Sequence, residues 1–161
     1  MQESTVTAIQ AIQAILAPAL GISAVGLLLL GVSNRYSSMV NRIRLLTDEK
    51  RDLAKKLVNN NELEYADTMR LESITKQTEE LLIRSRFARN GILSLQFAVV
   101  SFVLASVGIS LNLFFSSAVF QSAPLLVFSI GMISVLIGVL FAAIEVYRSY
   151  KIILIEVKAE E

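Results

Sequence analysis

The chain is 161 residues long, 54% of them apolar, with a formal net charge of +1. It has no His and no Cys, which removes the commonest metal ligand and general base and excludes disulfides and thiolate chemistry. The apolar residues sit in blocks. Charge-free runs of about twenty residues mark bilayer-crossing helices rather than a soluble core, and the length fits a single membrane domain over residues 1–161.

The first seven residues are polar, with one acid, Glu3, and no base. A cleavable signal peptide opens on a positive segment, so these residues are expected to form a short external tail and the first apolar helix to be retained. That first span covers about 12–33. It must begin before Pro18, because Ala19 to Val32 alone is too short to cross. Pro18 removes a backbone donor in mid-helix. Gly21, Gly26 and Gly31 follow, and small residues let neighbouring helices approach closely.

Residues 34–90 carry twelve of the fifteen Lys and Arg residues. No Pro or Gly interrupts Asn34 to Val58, so the helix is expected to continue. Met39, Ile43, Leu46, Leu53 and Leu57 follow a four-three spacing, with Lys50 at the one polar position, which is a coiled-coil pattern. Asn59-Asn60-Asn61 should break it, with Asn61 capping a second arm reciprocally with Glu64. In that arm Leu71, Ile74, Thr78, Leu81, Ser85 and Ala88 repeat the spacing. Two seams joined by a short turn predict an antiparallel hairpin, each arm about 35–40 Å long at roughly 1.5 Å per residue.

The second span, about 91–115, carries several Ser residues, Gln96 and Asn112. The stretch Ser116–Pro124 is uncharged and expected to be a loop. The third span is about 125–145, with Ser134, Gly138 and Ala142 on one face as a packing stripe. The tail 146–161 extends it. Lys and Arg favour the cytoplasmic side. The hairpin and C-terminus are therefore expected in the cytoplasm and the N-terminus outside. The fold class is all-α, with three transmembrane helices and a long cytoplasmic hairpin between the first and second.

Pro18-Ala19-Leu20, Asn34-Arg35, Asn41-Arg42-Ile43-Arg44-Leu45, Arg84-x-Arg86 and Glu145-Val146-x-Arg148 resemble the uncharacterised bacterial membrane family filed as domain of unknown function 2721. The resemblance covers nearly the whole chain. It implies an inner-membrane protein, supports three spans and brings no activity with it.

Catalysis would have to come from carboxylates, Lys, Ser or Tyr, and there is no Gly-rich phosphate loop. No enzyme activity, cofactor, metal or nucleic-acid partner is expected. Arg35, Arg42, Arg44, Arg84, Arg86 and Arg89 flank the apolar runs. They fit topological retention with snorkelling side chains, contact with anionic lipid, or a vestibule that draws anions to a pore. Glu145, the acid beside a span, is expected to pair with Arg35, Arg42, Arg86 or Arg89 and so clamp the third helix; passage of protons or cations is the sharper alternative. Gln10, Gln13, Ser23 and Gln96 either bond between helices or line a polar pathway in an oligomer. The lipid bilayer, further copies of the chain and a cytoplasmic protein at the hairpin are the expected partners. The leading reading is a homo-oligomeric scaffold or accessory subunit, and the alternative is a small ion channel with an Arg-rich inner mouth.

Overall fold

A computed structural model describes the backbone over residues 8–60, 65–114 and 118–159, and side chains over 12–56, 65–111 and 122–148. Three α-helices account for this backbone: α1 (Ala8–Asn60), α2 (Tyr65–Phe114) and α3 (Ala118–Ala159). All three are long and apolar enough to cross a membrane. Apolar run and charged arm are one continuous helix in α1 and again in α2. Nothing between Asn34 and Val58 breaks the helical hydrogen-bond ladder, and the lone Gly91 does not interrupt α2.

One expected helix boundary changes. The stretch Ser116–Pro124 is not a loop throughout, because α3 starts at Ala118 and carries Pro124 within it. Pro124 is the seventh residue of α3, past the first turn, so it forgoes one helical hydrogen bond, and its buried ring lies against α2: a Cβ added at Gly108 would meet Pro124 Cγ at 3.0 Å. The expected Asn61–Glu64 cap lies outside the described residues, as does the side chain of Gln10.

The chain divides into two compact units. Unit 1 combines Met1–Val32 with Asn90–Phe141. Its core is Val25, Leu95 and Phe102, ringed by Ile22, Leu29, Val99, Phe128 and Val135. Phe102 is the hub. Its ring meets that of Phe128 at 5.1 Å between centroids, and two glycines press on it from either neighbour. A Cβ at Gly131 would sit 2.7 Å from Phe102 Cε1, and one at Gly21 would sit 3.0 Å from Cε2. Gly138 seats Leu95 in the same way, at 2.8 Å from Cγ. The buried Ser134 hydroxyl donates to the Ser94 carbonyl oxygen at 3.0 Å.

The small-residue stripe therefore differs from the expected Ser134–Gly138–Ala142. In α3 the buried positions of this unit are Pro124, Gly131, Ser134 and Gly138, while Ala142 is half-buried. Pro124, Gly131 and Gly138 are seven apart. A seven-residue repeat stays on a partner helix over several turns, whereas a strict four-residue repeat drifts around the axis. Gly26 and Gly31 have no such neighbour within the chain: a Cβ at either would meet nothing within 4 Å.

Unit 2 combines Ser33–Arg89 with Ala142–Glu161. Leu46, Leu53 and Ile74 form its apolar cluster, with Leu71 and Leu81 against it. Along α1, Met39, Leu46 and Leu53 are buried at seven-residue spacing, Ile43 is half-buried and Lys50 is exposed. Lys50 Nζ reaches the other arm, donating to Thr75 Oγ1 at 3.3 Å. The polar seam residues of α2 satisfy themselves locally: Thr78 donates to the Ile74 carbonyl at 2.8 Å and Ser85 to that of Leu82 at 2.9 Å. The arms are also joined by a forked ion pair, Arg70 Nε and Nη2 donating to the two Glu49 carboxylate oxygens at 2.7 and 3.0 Å.

Candidate functional site

The chemically distinctive point of unit 2 is Glu145 on α3, a carboxylate buried beside two arginines. Arg84 of α2 donates through Nη2 to Glu145 Oε1 at 3.2 Å. Arg35 of α1 places Nη1 4.0 Å from Oε2, an ion pair too long to be a hydrogen bond. One carboxylate thus engages both other helices. The side chains of Glu145, Arg84 and Arg35 are 6%, 25% and 59% exposed, so the site is graded from a sealed acid to an open guanidinium. Arg84 Nε is buried and has no hydrogen-bond partner among the described residues.

Burying one carboxylate costs several kcal/mol unless cations and donors replace water. Here one close guanidinium and one more distant guanidinium surround it. A cavity of about 380 Å³ opens beside them, lined by Arg35, Ser38, Met39, Arg84, Glu145 and Val146. Next to it on α3, the Arg148 guanidinium lies over the Phe87 ring, 4.7 Å from its centroid, a contact that holds a cation without an acid.

Of the four arginines expected to pair with Glu145, the structure brings only Arg35 to it. Arg42, Arg86 and Arg89 are exposed, as is Arg44, and none of the four enters an ion pair among those described. The closest partner, Arg84, was absent from that expected set. Helix phase explains the difference. Arg84 lies four residues before the buried Ala88 and seven before the buried Gly91, so it shares their face, while Arg86 and Arg89 point off it. Arg42 shares a face with Arg35 but stands one heptad away, about 10 Å along the axis. Glu145 in turn falls seven residues after Gly138. Extending the seven-residue repeat of α3 and the inward face of α2 into the flanking turns would have selected Arg84 from the sequence.

The amides lie elsewhere. Gln13 and Gln96 are exposed, and so is Ser23, whose hydroxyl donates to its own helix at Ala19. None bonds between helices within the chain in the described contacts. In unit 1 a separate recess of about 360 Å³ is walled by Pro18, Ile109, Pro124 and Phe128, a lining that offers no charge and suits only apolar groups.

These features define an all-helical chain with three membrane-competent helices and a charge cluster where α3 meets two arginines. The chain belongs to the family described as protein of unknown function (DUF2721), whose model matches residues 15–155. Comparison with curated proteins and with solved structures gives no match.

Proposed function

We propose that this protein is a non-enzymatic, multi-pass inner-membrane protein that assembles with copies of itself and presents its 34–90 hairpin to a cytoplasmic protein. The observation that carries this reading is apolar exposure on a charged segment. Leu45, Tyr65, Met69 and Ile83 of the hairpin are 71%, 79%, 52% and 46% exposed. Such residues are ordinary where a helix faces lipid. On arms that carry most of the chain's charge they call for protein cover. The concentration of Lys and Arg in the hairpin and tail supports a cytoplasmic hairpin with the N-terminus outside. Self-assembly is supported by the apolar helices, of whose most apolar windows only 11%, 28% and 11% is buried within the chain. It is supported too by Gly26 and Gly31, which lie open where a second helix could approach closely. The exposed Arg42, Arg44, Arg86 and Arg89 would snorkel to anionic headgroups.

A second reading, a homo-oligomeric ion channel, draws on Gln13, Ser23 and Gln96, which are polar and exposed on apolar helices. Photo-cross-linking residues placed at Leu45 and Met69 in cells test the first reading. Discrete protein adducts are expected, and adducts to lipid alone would sink it. Ion flux by the purified protein in liposomes that falls on Gln96→Leu would put the channel ahead.

A further inference from the structure

We infer that the cavity beside Arg35, Ser38 and Arg84 is a binding site for a phosphate-class anion, with Glu145 as its fixed inner wall. The inference deepens the headgroup contacts of the preceding reading and rests on that reading only for a lipid as the source of the anion.

The argument is a count of donors against acceptors. A guanidinium presents five N–H donors and no acceptor. The two guanidiniums here face one carboxylate, and only one close hydrogen bond joins them, Arg84 Nη2 to Oε1 at 3.2 Å. At 4.0 Å, Arg35 Nη1 is attracted to Oε2 without bonding to it. The cluster therefore keeps one net positive charge and a surplus of donors. Arg84 Nε shows the surplus from inside, buried with no partner among the described residues. Arg35 shows it from outside, more than half exposed on the cavity wall. Its donors and the exposed edge of Arg84 are what an entering anion can reach.

The shape of the donors selects the ligand. Planar guanidinium forks match the paired oxygens of a phosphate and bind it through charge-assisted hydrogen bonds. Ser38 adds a hydroxyl on the same wall, while Met39 and Val146 add apolar surface. That mixture suits a phosphate carrying an organic substituent. Glu145 prevents the site from being a simple cationic patch. It holds Arg84 in place and repels anions from the inner wall, so the ligand must bridge outward to Arg35. A free phosphate and the phosphodiester of an anionic lipid share this chemistry.

The full-length protein tests the site in two arms. In detergent, its melting temperature is followed as sodium phosphate replaces choline chloride at constant ionic strength. In nanodiscs, phosphatidylcholine alone is compared with phosphatidylcholine plus phosphatidylglycerol. A saturable rise in melting temperature is expected in at least one arm. A rise only with sodium phosphate assigns the free anion, a rise only with phosphatidylglycerol assigns the lipid headgroup, and a rise in both shows that the site takes either source. Arg35→Gln should weaken the effect about tenfold, equivalent to loss of one charge-assisted hydrogen bond. Arg35→Lys keeps the charge but loses the fork, and should fold like the parent while binding more weakly. No rise in either arm overturns the site, as does an undiminished rise in Arg35→Gln. Native mass spectrometry on the same samples separates this from the assembly reading. A monomer that binds phosphate sinks self-assembly alone, and an oligomer indifferent to both ligands sinks the site alone.

Discussion

Unit 1 and unit 2 use the same seven-residue repeat and fill it with opposite chemistry. In unit 2 the repeated positions of α1 are Met39, Leu46 and Leu53, and the last two cluster with Ile74. In unit 1 the repeated positions of α3 are Pro124, Gly131 and Gly138, and the large side chains that the two glycines seat, Phe102 and Leu95, both come from α2. The difference is the one that the proposed placement of unit 1 in lipid and of the hairpin in water would require. Between charged arms in water, large apolar side chains gain by leaving water, about 25 cal/mol for each Å² buried. Between helices in lipid that gain vanishes, because the tails are as apolar as the residues. Contact then depends on van der Waals fit and on hydrogen bonds across the helices. Glycine gives α3 the close approach, and Ser134 gives it the bond to Ser94.

The largest expected effect breaks the unit 1 side of this comparison. A Cβ at Gly131 already falls 2.7 Å from the Phe102 ring and 3.1 Å from Ser101 Cβ. Gly131→Val should therefore cost about 3 kcal/mol by overpacking and lower the melting temperature in detergent sharply. Gly26→Val is the control, with nothing within 4 Å inside the chain. It should leave a monomer's melting temperature alone. If Gly26→Val instead disperses an oligomer, that face is covered by another copy.

Glu145→Gln comes next. It removes the acid that holds Arg84 and Arg35 and leaves a quarter-exposed guanidinium facing a neutral amide. Breaking a fully buried pair costs about 3–5 kcal/mol. With Arg84 able to reach water, about 2 kcal/mol is expected, read as a lower melting temperature. The double variant Glu145→Gln, Arg84→Gln should recover part of the loss. An unchanged melting temperature in Glu145→Gln would remove the clamp. Ser134→Ala should cost less, about 0.6 kcal/mol, the typical worth of a hydrogen bond between membrane helices. The same readout applies, and a loss as large as that of Glu145→Gln would mean the close packing at Ser134, not its hydroxyl bond, holds α3 to α2.

How far these features are legible in the sequence also follows from the comparison. The helix type, the apolar runs and the seam residues Met39, Leu46, Leu53 and Ile74 can be read directly, because large apolar residues in a charged arm leave a periodic trace. The small-residue face of α3 is harder. In a run where nearly every residue is apolar, hydropathy has no phase, and only side-chain size marks the inward face. Taking Ser134, Gly138 and Ala142 as that face found two of its members and missed Gly131. The same loss of phase hid Arg84. Six arginines near the apolar borders are equivalent by composition, and only their angle about the helix, or for Arg42 its place along the axis, separates the two beside Glu145 from the exposed four.

The smallest effect belongs to the exposed charge pairs of unit 2, and it sharpens the contrast because unit 1 has no counterpart among its described contacts. The hydrogen bond from Arg70, reinforced by its charge, holds the Glu49 carboxyl below its ordinary 4.5. The Lys76 bond does the same for Glu72 and raises Lys76 itself above 10.5. A carboxylate with a depressed folded value stabilises the fold at every pH above its unfolded value, and the contribution is lost as pH falls through the folded value. For Glu49 and Glu72 the loss therefore begins below 4.5. Lys76 carries the opposite sign, so its contribution is complete below 10.5 and is lost as pH rises through its folded value. The hairpin should keep both pairs across the interval between, and lose helical signal in thermal melts on the acid side first, because both carboxylates titrate there. Both pairs are open to solvent, so the acid loss should be slight and should shrink as salt is added. Glu49→Gln should take its share of the acid dependence away while leaving the melt near neutrality almost unchanged. Acid sensitivity that persists in full in Glu49→Gln and also in Glu72→Gln would place it on other carboxylates and remove these pairs from the account of the hairpin.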